Sequence, residues 1–195
     1  MQIKSLISDF TSHWKSPAEG NFISNKEVAS YSAGGIGPYT INALFGQYVV
    51  LASTCFLIGS AYGIKPMDLA FLSVLMGVLN LVKTPFVSML LDNTKSSLGK
   101  FRPYLIYTGV PTVCLLTFMA FIPLDFSYRG KLLLIGAAYA LLMLFQSLFQ
   151  TAYDSLGQVM TPNEKERTSL LSVSAFVGNL GPSILGALIP ILANF

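Results

Sequence analysis

The residues best placed to do chemistry are polar ones stranded in apolar runs. Lys83 is the clearest, since it lies well inside LAFLSVLMGVLNLVKTPFVSML, a stretch long enough to cross a bilayer. A charge at that depth is costly and defaults to a functional hypothesis. It could pair with Asp154, bind an anionic group, or snorkel towards the nearer surface. Asp154 stands near the end of another apolar run, where reaching headgroups or water is the simpler explanation. Further polar side chains are Tyr39, Thr40, Asn42 and Gln47 in one run, Asn80 beside Lys83, and Gln146, Ser147 and Gln150 in the run of Asp154. Asn80 and Lys83 are three apart, as are Ser147 and Gln150, so each pair shares a helix face. A few convergent polar groups in an apolar wall is how solute sites are built, and interhelical hydrogen bonding is the plainer reading of each residue singly. Catalysis has less support. His13 is the only histidine and lies outside the apolar runs, no metal-ligand spacing is present, and no Ser or Cys has an evident base, so no enzyme is expected.

The elements that must position these residues follow from composition. With 53% hydrophobic and 11% charged residues, the chain is far from the usual soluble balance of about a quarter charged and reads as an all-α integral membrane protein in a lipid bilayer. The net charge of +3 is small and dispersed, which disfavours nucleic acid as a partner. Cys55 and Cys114 lie in apolar stretches and form no disulfide framework. Residues 1–30 read as a separate N-terminal segment. Ile3, Leu6, Ile7, Phe10 and Trp14 recur there at the spacing of an interfacial amphipathic helix, a disordered tail being the alternative, and Pro17, Gly20 and Asn25 punctuate a linker.

Residues 31–195 divide into five expected transmembrane spans, running from Tyr31 to Gly59, Met67 to Leu91, Pro103 to Ile122, Lys131 to about Gly157 and Ser169 to Asn194. The first opens on Gly34-Gly35-Ile36-Gly37-Pro38, read either as a bend near a solute path or as close packing through small residues. Before the fifth, Thr161 and Glu164 have the spacing of a capping box. Along it, Ser174, Gly178 and Pro182, and then Ala175, Asn179, Ser183 and Ala187, form small or polar stripes that allow close helix approach. Lys4, Lys15, Lys26, Lys95, Lys100, Arg102, Lys165 and Arg167 fall on one side of the membrane, against Lys65, Arg129 and Lys131 on the other. The N terminus is therefore expected in the cytoplasm.

Two loops carry a resemblance. Thr84-Pro85, Asp92, Thr94 and Gly99-Lys100-Phe101-Arg102-Pro103 form one block; Tyr153-Asp154-Ser155-Leu156, Met160-Thr161-Pro162 and Lys165-Glu166-Arg167-Thr168 form the other. Together they resemble the loops after helices two and four of the glycoside-pentoside-hexuronide cation symporters, the melibiose-permease branch of the major facilitator superfamily, over roughly residues 31–195. The resemblance implies the N-terminal half of a major facilitator, with about five of an expected six transmembrane helices, in the plasma membrane. The rest of the pathway would come from a missing C-terminal half or a second membrane chain. It implies a secondary transporter for a small polar solute such as a sugar, glycoside or organic acid, working by alternating access. The alternative is a non-transporting subunit or an inactive half-transporter fragment.

The resemblance also assigns roles. Asp92, Lys100 and Arg102 would hold a gating loop, with Ser88 where that loop usually has glycine. The substrate group, drawn from the polar and charged residues within the runs, would be Tyr39, Asn42, Asn80, Lys83, Gln150 and Asp154. The branch's paired helix-two carboxylates, which help to bind the coupling cation, are replaced by Asn80 and Thr84. Its sugar-binding carboxylates fall on Tyr39 and Gln150, and a helix-five arginine falls on Ala175. No cofactor is implied beyond a coupling cation, sodium or proton, and neutral oxygens hold a hard cation less well than carboxylates. Lys83 is therefore expected to occupy part of the space a coupling ion would use, which points to an anionic substrate, a uniporter or a proton-linked carrier.

Overall fold

The computed structural model describes residues 11–44, 63–121 and 125–192. These form helices α1 (Asn25–Gly34), α2 (Ile36–Ala43), α3 (Pro66–Asn93), α4 (Arg102–Ala120), α5 (Tyr128–Val159), α6 (Glu164–Gly178) and α7 (Leu180–Leu192). An all-helical build is what a bilayer demands, because hydrocarbon offers no partner for an unpaired backbone group. Three stretches among the described residues are long and apolar enough to cross: Ala70–Asn93, Tyr128–Val159 and Glu164–Leu188. Helix α4, with 19 residues, reaches about 28 Å, close to the thickness of the hydrocarbon layer. The expected helical spacing from Ile3 to Phe10, with Gln47 and Cys55, lies outside the described residues.

The sequence places the second, third and fourth spans to within a few residues. Helix α3 opens with Pro66 in its first turn, where a missing N–H costs nothing, and continues through Pro85. A polar helix begins ahead of the expected start of the first span. Asn25 belongs to helix α1 rather than to a linker, because Ser24 and Glu27 form a capping box. The Ser24 hydroxyl oxygen accepts from the Glu27 N–H at 3.4 Å, and the Glu27 carboxylate accepts from the Ser24 N–H at 2.8 Å. The fifth span begins early, at Glu164, and its cap is not the expected one. Asn163 is the N-cap, its side chain accepting from the Lys165 N–H, while the Thr161 hydroxyl accepts from the Asn163 N–H at 3.1 Å and donates to Glu166. Asn next to the first helical residue satisfies an orphan donor directly, so Thr161 is released for other work.

Both glycine- and proline-rich stretches stay close to helical. At Gly35 the backbone remains right-handed (φ −68°, ψ −23°), and its N–H reaches the carbonyls of Tyr31 and Ser32 at 3.1 Å each. The expected bend in the first span is thus confined to one residue between α1 and α2. Asn179 separates α6 from α7 in the same way, with a right-handed backbone.

The residues fall into two compact units, one made of Met1–Thr40 with Asp154–Phe195 and the other of Ile41–Tyr153. In the second unit helix α5 carries both apolar cores. Ile135, Ala138 and Leu142 pack with Ile64 and Met119, and Leu148 and Ala152 pack with Val87 and Leu91. Helix α4 comes close to α5 at Gly109, where an added Cβ would stand 3.2 Å from the Phe149 ring. Along α3, Phe71, Val74, Val78, Leu81, Val82, Phe86 and Met89 are exposed, an apolar surface that only a bilayer or another membrane segment tolerates. In the first unit α1 packs against α6.

The capping box supplies a test. Its hydrogen bonds hold the Glu27 carboxyl below its ordinary value of 4.5. A lowered folded value means the contribution is present above pH 4.5 and is lost as pH falls through the folded value. Replacing Ser24 by Ala in the full-length protein is expected to cost about 1 kcal/mol near neutrality. Thermal unfolding of the two proteins should differ most near neutrality, the gap narrowing in acid as the hydroxyl's bond to the Glu27 carboxylate weakens, and equal stability at neutral pH would exclude this cap.

Candidate functional site

Helix α5 presents Met143, Gln146 and Gln150 at spacings of three and four, one face of a helix. Two links run to that face within the second unit. Lys83 Nζ donates to the Met143 carbonyl at 3.2 Å, and Gln146 Nε2 donates to Asn42 Oδ1 at 3.1 Å. Lys83 is half-buried, Gln146 is buried and Gln150 is half-buried. The Lys83 ammonium thus meets a carbonyl dipole instead of a carboxylate. A carbonyl oxygen accepts one of its three donors and leaves the positive charge unneutralised by that contact.

Asn80 is exposed on α3, and its carbonyl accepts the Thr84 hydroxyl at 2.9 Å; the Ser88 hydroxyl in turn donates to the Thr84 carbonyl at 3.3 Å. The two positions where the resemblance implies cation-binding carboxylates therefore hold neutral groups, one of them engaged within its own helix. Pro85 has no N–H, so the Leu81 carbonyl has no intrahelical donor from that position.

In the first unit, Tyr39 lies within electrostatic reach of the Asp154 carboxylate. Its ring rests on Gly178, where an added Cβ would stand 2.7 Å from Tyr39 Cδ2. Gly181 makes similar room for Ile36 and Thr40, and Gly157 for the Tyr31 phenol. The packing alternative for the first span is not met at its own glycines: an added Cβ at Gly34 or Gly37 would meet nothing within 4 Å among the described residues, and it is glycines of α5, α6 and α7 that receive side chains of α1 and α2. Gly178 belongs to an expected small-residue stripe; Gly181 does not.

The loop between α3 and α4 is held by several contacts. Lys100 Nζ lies 2.8 Å from Asp92 Oδ1, in a pair too exposed to contribute more than about 1 kcal/mol. The same ammonium sits 5.6 Å from the Phe101 ring centroid. Gly99 takes φ +90°, a conformation that favours glycine, and its N–H reaches the Ser96 carbonyl at 3.1 Å. The hydroxyls of Thr94 and Tyr104 meet each other, one donating to the other, and the Leu90 carbonyl lies 2.8 Å from Thr94 Oγ1 and 3.3 Å from Tyr104 Oη to accept the remaining proton. Arg102 is the first residue of α4 and exposed.

Beyond the expected residues, the structure adds Met143 through its carbonyl, Gly181 through its missing side chain, and Glu166, whose carboxylate accepts from the backbone of residues 22 and 23. Thr108 and Thr112 of α4 are buried, their hydroxyls donating to the Tyr104 and Thr108 carbonyls at 2.6 Å each.

Residues 30–195 match the family described as MFS/sugar transport protein, and the chain belongs to that family. It is 28% identical over 89% of its length to the uncharacterized symporter YnaJ of Bacillus subtilis (strain 168), of which it covers 36%. It is 28% identical over 88% of its length to the inner membrane symporter YicJ of Escherichia coli (strain K12), again covering 36%. To the isoprimeverose transporter of Lactiplantibacillus pentosus it is 23% identical over 90% of its length, covering 36%. The chain thus spans about a third of the length of the curated relatives it matches. No solved structure matches it.

The Tyr39 notch supplies a second test. In the full-length protein, Gly178→Ala is expected to lower stability by about 1–3 kcal/mol through overpacking. Adding Tyr39→Ala should recover part of that loss, read as a non-additive double-mutant cycle in thermal unfolding. Additive effects would mean that the ring and the notch do not meet.

Proposed function

We propose that this chain is the N-terminal part of a secondary carrier that moves a small polar solute, a sugar, glycoside or organic acid, across the plasma membrane. Alternating access in such a carrier needs two helical halves around a central site, so the remaining helices come from a C-terminal half or a second membrane chain. The excess of Lys and Arg in the loops assigned to one side supports a cytoplasmic N terminus. Asp92, Lys100 and Arg102 then belong to a cytoplasmic gating loop.

The observation that carries the reading is the contact of Lys83 with the Met143 carbonyl inside an apolar unit of a chain from a sugar-transport family. An ammonium held by a carbonyl keeps two donors and its full charge for a ligand. Asn42, Asn80 and Gln150, in the same unit as Lys83, supply polar groups of the kind that orient hydroxyls. A sodium ion does not fit Asn80 and Thr84, which offer neutral oxygens within one helical turn of a lysine. The reading is therefore a carrier for an anionic solute, run as a uniporter or linked to protons.

Uptake into vesicles holding the full-length protein tests this, using an anionic sugar and its neutral counterpart. Lys83→Ala should lower uptake of the anionic solute by about tenfold, the value of one charge-assisted hydrogen bond, and spare the neutral one. Equal losses for both solutes would rule out charge pairing by Lys83.

A further inference from the structure

The segment before α1 is folded back on itself. The N–H groups of Asn25 and Lys26, orphan donors of the first turn of α1, reach the carbonyls of His13 and Trp14 at 3.2 and 3.1 Å. Residues 13–26 therefore form a loop whose ends meet, the geometry of an Ω-loop. Inside it the Asn21 N–H reaches the Ala18 carbonyl at 2.9 Å, and Gly20 takes φ +86°. Ile23 and Ser24 are buried although Phe22 is 63% exposed.

One carboxylate from elsewhere holds the end of that loop. Glu166, in the first turn of α6, accepts from the Phe22 N–H at 3.1 and 3.3 Å and from the Ile23 N–H at 3.0 Å. The buried Thr161 hydroxyl also donates to it, fixing the carboxylate from the side of the preceding loop. We propose that Glu166 is a latch that keeps residues 13–26 closed as a strap joining the N-terminal ends of α1 and α6.

The form of the grip says what kind of device this is. On the strap's side it uses backbone N–H groups only, so the side chain of Phe22 is free to vary while the hold stays the same. The contacts are few, and those of Phe22 lie at the surface, where local opening is easiest. Opening the strap removes this link between the start of α1 and the start of α6 without breaking either helix. The strap is thus a place where these two helix ends can be locked or freed independently of the solute site.

Limited trypsin digestion of the purified full-length protein tests the latch, followed by mass spectrometry of cleavage after Lys15, an exposed residue in the strap. Cleavage of this kind tracks the open population, so Glu166→Ala should raise its rate by about tenfold or more, with Phe22→Ala at the wild-type rate. Glu166→Gln, which keeps one oxygen acceptor, should fall between and serves if Glu166→Ala does not fold. An unchanged rate in the Glu166 variants, or a rise in Phe22→Ala as large as theirs, overturns the latch. The readout needs no solute, so its failure leaves the carrier reading standing, and a carrier that moves nothing leaves the latch standing.

Discussion

Hydrocarbon has no water to take up a hydrogen bond, and that constraint decides how nearly every polar side chain in these helices behaves. Thr84, Thr108, Thr112, Thr117, Ser172 and Ser183 each donate to the carbonyl four residues earlier in their own helix. Such hydroxyls are satisfied locally and ask nothing of a neighbour. Among the described residues, side chains that reach another helix of their unit include Tyr104 and Tyr128 near helix ends, and Lys83 and Gln146 deeper in apolar runs. Lys83 and Gln146 are too long to be settled at home, and each finds a partner across a helix boundary. The candidate site is drawn from this pair and the polar groups around it.

The same constraint explains what the sequence could show. Helix α3 was legible because an apolar run bounded by Pro66 and the polar loop after Leu91 has few other readings. The start of α1 was not, since NKEVAS is polar and resembles a linker, although Ser24 and Glu27 carry a readable capping signature. At the start of α6, two residues compete to cap: Thr161 has the spacing, Asn163 has the adjacency, and adjacency prevails. Lys83 was identifiable from its depth alone. Its partner was not, because a carbonyl can come from any residue at position 143, and the Glu166 contacts with residues 22 and 23 are hidden for the same reason.

The loops and the helices of this chain carry different parts of its relationship to the MFS/sugar transport family. The loop between α3 and α4 keeps a motif whose residues are joined by short contacts, from the Asp92 and Lys100 pair to the Thr94 and Tyr104 hydroxyls. The α3 positions where the resemblance implies cation-binding carboxylates hold Asn80 and Thr84, neutral side chains with a lysine between them. A fixed ammonium and a bound sodium ion repel each other at such spacing, more strongly in a low dielectric than in water. On the proposed reading the two are alternatives, with Lys83 supplying the ammonium.

The most direct measurement is therefore the response of solute uptake by the full-length carrier to replacing sodium with choline at constant pH. On the proposal that Lys83 takes the place of a coupling ion, uptake is expected to be the same in both. Sodium-stimulated uptake that persists undiminished in Lys83→Ala would contradict the account, because it would place the ion at a site that the lysine does not touch.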